Sequence, residues 1–66
     1  MIEYTNSGIA HVIDEYVHSA RDRAIISDRL INGMKIEELA YKYDRTPRAM
    51  QAKVAKLQTI VFRYLR

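Results

Sequence analysis

Four residues near the start of the last apolar-periodic stretch carry the most suggestive chemistry. Pro47, Arg48, Gln51 and Ala52 fall outside the apolar stripe formed by Met50, Val54 and Leu57. Arginine can pair bidentately with guanine, glutamine with adenine, and alanine or proline can touch a thymine methyl. Around them Lys42, Arg45, Thr46, Lys53 and Lys56 supply cations and a hydroxyl suited to phosphate oxygens. This set suits double-stranded DNA, with Pro47, Arg48, Gln51 and Ala52 toward the bases and the other five toward the backbone. The same residue types also make a good solvated helix face, so charge distribution must help to decide.

The 66-residue chain has a formal net charge of +3, unevenly spread. Residues 1–38 hold four Lys/Arg against seven Asp/Glu, a balance of −3, while residues 39–66 hold seven against one, Asp44, a balance of +6. Gathering cations at one end favours a polyanion, because binding releases condensed counterions. The acidic portion, with Asp14, Glu15, Asp22 and Asp28, would instead suit a protein partner.

Other chemistries find little support. There is no cysteine, hence no disulfide or thiolate framework. No Gly-rich phosphate loop and no convergent Ser/His/Asp set is present, so an enzyme is not expected. His11, Glu15 and His18 recur at i, i+4 and i+7, but these are the only histidines, and zinc would need a further ligand. No metal or cofactor is expected. No apolar run approaches a membrane span and the first residues lack a signal-peptide pattern, so a cytoplasmic protein is expected.

The elements that must position these groups read as four helices. With two glycines and one proline in 66 residues, an all-α fold is favoured over a turn-rich β fold. Ile2 and Tyr4 offer apolar anchors ahead of the first helix. Thr5, Asn6 and Ser7 are candidate N-caps for a helix over about 8–18, with Ile9, Val12, Ile13, Tyr16 and Val17 on one stripe. Ser19, with Asp22 three residues on, starts a second helix that Asn32-Gly33 stops. Its charges Arg21, Asp22, Arg23, Asp28 and Arg29 read as surface groups pairing at i+3 or i+4.

Ile36 to Tyr43 forms a third helix, with Glu37 and Glu38 at the positive end of its dipole. Ile36, Leu39 and Ala40 should face inward. Tyr43 reads as a core wedge and Tyr41 as an exposed ring within reach of a phosphate. Asp44-Arg45 makes the turn. Thr46 caps the fourth helix and Pro47 occupies its first position, where no amide donor is needed. Nothing from Arg48 onward breaks that helix before about Tyr64, so its far half should pack against the first two helices. Met50, Val54, Leu57, Val61, Tyr64 and Leu65 continue its inward stripe. The result is a single domain of tetrahelical helix-turn-helix type, with the motif over about 36–57 and a long last helix. Ile60, Phe62 and Leu65 are surplus apolar residues that would suit a homodimer.

Arg21-Asp22-Arg23-Ala24-Ile25-Ile26, Gly33, Ile36-Glu37-Glu38-Leu39-Ala40 and Thr46-Pro47-Arg48-Ala49-Met50 together resemble region 4 of sigma-70 factors and LuxR-like helix-turn-helix proteins. The resemblance covers about residues 20–58. In sigma factors this region reads a promoter element and touches RNA polymerase. It implies base contacts by Arg48, Gln51 and Ala52, and phosphate contacts near Arg45 and Lys53. Pro47 and Ala49 stand where more polar residues are common, which implies weaker base reading. With no region 2, the resemblance implies a free-standing transcriptional regulator of phage or mobile-element type. The alternative within the same fold is a protein-binding module that docks on RNA polymerase or another regulatory protein.

Overall fold

The computed structural model describes residues 5–65 as four helices. Ile2 and Tyr4, expected as anchors, lie outside the described residues. α1 spans Asn6–Tyr16, α2 Ala20–Leu30, α3 Ile36–Lys42 and α4 Pro47–Tyr64. Among the described residues no helix is long and apolar enough to cross a membrane.

Local chemistry sets the helix starts. The Thr5 hydroxyl accepts from the Gly8 amide at 3.1 Å, and the Thr46 hydroxyl accepts from the Ala49 amide at 3.1 Å. Each satisfies a first-turn donor that has no intrahelical partner. Ser19 caps α2 by accepting from the Asp22 amide at 3.4 Å. At α3 the Glu38 carboxylate accepts from the Lys35 amide at 2.8 Å. This is half of a capping box, because the lysine side chain has no acceptor to return the bond.

Two left-handed residues make the stops. Gly33 has φ +71°, and nothing lies within 4 Å of the position a Cβ would take, so the demand for glycine is conformational rather than spatial. Asp44 has φ 56° without being glycine. It ends α3 in a Schellman arrangement: the Arg45 amide donates to the Ala40 carbonyl at 2.8 Å and the Asp44 amide to that of Tyr41 at 3.4 Å.

The core draws on all four helices. Ile25, Ile26, Leu39, Met50 and Val61 are fully buried, joined by Val12, Ile13 and Val17 from the first helix and its C-cap. Ala40 is buried where α3 meets α4, and its small side chain permits close approach of the two axes.

Three expectations change. α1 stops at Tyr16 with Val17 as its C-cap, so His18 leaves the helix and the i, i+4, i+7 alignment with His11 and Glu15 does not form. Tyr64 is not interior: its ring stacks on Tyr16 at 3.8 Å between centroids, and both rings stay partly exposed. Leu65 is buried, as its place on the inward stripe of α4 implied, and so is not surplus, which leaves only Phe62, 48% exposed, as a large outward apolar group among the three proposed for a dimer.

Candidate nucleic-acid interface

The Thr46 cap and Pro47 fix where α4 emerges from the turn, and burial of Met50 and Val54 fixes its rotation about its own axis. Every position not on that buried stripe is thereby aimed. Pro47, Arg48, Gln51 and Ala52 are all exposed at the N-terminal end of the helix, as are Arg45 and Thr46 just before it. Lys56 is exposed one further turn along, and α4 carries no Asp or Glu. The four residues read as base-contacting therefore share one open end of one helix. Thr46 is also committed to its cap, so its oxygen already accepts from Ala49.

Two of the cations read as phosphate contacts are engaged elsewhere. Lys53 is only partly exposed, and its Nζ lies 3.1 Å from Asp22 Oδ1 of α2. Lys42 donates to Asp28 Oδ2 at 2.8 Å. Each is thereby partly neutralised by a carboxylate, which weakens its pull on a phosphate. The conformation thus leaves Arg45, Arg48 and Lys56 as the cations of the predicted set that form no ion pair among the described residues.

Asp28 is the larger departure from expectation. Read as a surface charge, it is 8% exposed. Its Oδ2 accepts from Lys42 Nζ at 2.8 Å and from the Tyr43 hydroxyl at 2.6 Å, and its Oδ1 accepts from Asn32 Nδ2 at 2.8 Å. A buried carboxylate is tolerable only when its lone pairs are filled in this way. The bond from Lys42, then that from Tyr43, hold the Asp28 carboxyl below its ordinary range, against the upward push of burial. Lys42 is raised by the same bond, and Tyr43 is raised by burial first and Asp28 second. Tyr43 is thus a wedge with a polar tip, and the cluster ties α2 to the end of α3.

Other charges of α2 are also structural. Arg23 Nη1 donates to the carbonyls of Val17 and His18, each at 2.9 Å, closing the α1–α2 corner. Arg29 Nη1 donates to the Met34 carbonyl at 2.8 Å. The expected i+3 and i+4 pairs among these charges give way to longer-range partners. Tyr41 is 91% exposed, but Glu37 and Glu38 precede it by one helical turn and are exposed as well. Glu37 and Glu38 on its N-terminal side weigh against a nearby phosphate, whereas Lys42 and Arg45 on its C-terminal side favour one.

No family model, curated protein or solved structure matches the chain.

Proposed function

We propose that this chain is a sequence-specific DNA-binding transcriptional regulator of the cytoplasm, which inserts the N-terminal end of α4 into the major groove. The observation that carries the reading is the exposure of Arg48, Gln51 and Ala52 together on an acid-free helix whose opposite face is locked into the core. A rigidly seated helix presents its outward side chains without a further cost of ordering the backbone. Arg45 ahead of the helix and Lys56 beyond it flank that end with charge for the phosphates.

A second reading, a protein-docking module of the same fold, is favoured by the outward face of α3, where the 91% exposed Tyr41 ring follows Glu37 and Glu38 by one turn. Selection of bound duplexes from a random pool at physiological salt separates the two. The DNA reading predicts enrichment of one site, with discrimination at one base step reduced by about 1–3 kcal/mol in Arg48→Ala. Equal binding of selected and random duplexes would sink it.

A further inference from the structure

We infer that the DNA contact runs along the whole length of α4, with Lys56 and Arg63 meeting phosphates well beyond the end that presents Arg48. This rests on the DNA-binding reading above. At 3.6 residues per turn, Arg48, Ala52, Lys56, Thr59 and Arg63 fall in a stripe about 80° wide. All five are exposed, and Met50, Val54, Leu57 and Val61 occupy the opposite face. The stripe therefore points directly away from the core for the full 18 residues of the helix.

Its middle and its ends differ. Ala52 and Ala55 are short and exposed. The Thr59 hydroxyl is turned back on its own helix, donating to the Ala55 carbonyl at 3.0 Å. On this side of the midsection only Lys56 offers bulk and free donors, so beside Ala52, Ala55 and Thr59 a partner surface can come close to the helix backbone. Arg48 and Arg63 are fifteen residues apart, a rise of about 22 Å, nearly twice the ~12 Å width of the major groove. A helix whose N-terminal end sits in the groove must therefore pass the groove's edge before Arg63, so its later cations meet backbone rather than bases. The short side chains of Ala52, Ala55 and Thr59 let the helix run close to that edge, with Lys56 and Arg63 left for the phosphates. Neither Lys56 nor Arg63 forms an ion pair among the described residues, in contrast to Lys42 and Lys53.

The test measures binding of a short mixed-sequence B-form duplex across a salt series. Lys56→Gln and Arg63→Gln should each flatten the dependence of log affinity on log salt by about 0.9, the value of one phosphate contact. Ala55→Leu should lower affinity at least about tenfold by obstructing the close approach. Its helicity and melting temperature should match the unmodified chain, because the position is exposed. Unchanged slope and affinity in all three variants, with Arg48→Ala still weakened, would confine the contact to the first turns of α4. That result would overturn this inference and leave the proposed function standing. Absence of duplex binding by the unmodified chain would overturn both.

Discussion

The cations of this protein divide into two regions with opposite fates. At the junction of α2 with α3 and α4, Lys42 and Lys53 close onto Asp28 and Asp22. Along the outward face of α4, Arg48, Lys56 and Arg63 have no such partner among the described residues, and that helix contains no acid. Composition treats these residues as equivalent contributors to a basic C-terminal half. The fold separates them into charges that hold helices together and charges held out to solvent. A positive balance is therefore a poor count of phosphate contacts until the cations paired within the fold have been discounted.

The sharpest way to break this division is at its inner side. Asp28→Ala removes the shared acceptor of Lys42, Tyr43 and Asn32. Loss of a buried, hydrogen-bonded charge partner should destabilise the fold by about 1–3 kcal/mol, measured by denaturant unfolding. No change in unfolding midpoint would mean that the cluster adds nothing to stability.

The same cluster predicts a pH dependence at both extremes. Asp28 is depressed in the folded state, so its contribution is present above the unfolded carboxyl value of about 3.9 and fades as pH falls through the lower folded value. Lys42 and Tyr43 are raised, so theirs is complete below about 10 and is lost as pH rises through their folded values. Thermal melting should decline toward both ends, and Asp28→Asn should flatten the part of each decline that this cluster contributes. Identical pH profiles for the two proteins would contradict the assignment.

The left-handed residues on either side of α3 predict smaller effects of opposite sign. Gly33→Ala forces a Cβ into left-handed backbone at φ +71° and should cost about 1 kcal/mol. Asp44→Gly relieves the same strain at φ 56° and should raise stability by up to about 1 kcal/mol. Parallel melts of the two variants check this, since side-chain contacts alone would not predict opposite signs. The smallest effect is expected at the Asp22–Lys53 pair, where Lys53→Ala should change stability by about 0.5 kcal/mol or less.

What the sequence made legible follows the range of the physics involved. The Thr46-Pro47 start of α4, the Ser19 cap and the Gly33 stop depend on groups within a few residues of one another, and each is found where composition and spacing place it. The inward stripe of α4 was readable from Met50 to Val61 for the same reason. The Asp28 cluster was not, because its strongest donors lie 14 and 15 residues away and meet it only through the crossing of α2 and α3. A hint existed: Asp28 stands three residues after the fully buried Ile25, on the inward side of α2. The left-handed Asp44 was also hidden, since aspartate reads as an ordinary turn residue unless the Schellman bonds around it are known. At the candidate interface, exposure of Arg48, Gln51 and Ala52 could be anticipated from helical spacing, whereas the capture of Lys53 by Asp22 required the tertiary arrangement.

The most direct measurement of the central claim compares Arg48→Ala with Lys42→Ala in duplex binding across a salt series. The division into paired and unpaired cations predicts that Arg48→Ala loses affinity and sequence preference. Lys42→Ala should keep both, and its salt dependence should stay close to that of the unmodified chain. The reverse order, with Lys42→Ala the weaker binder and Arg48→Ala unaffected, would contradict the account.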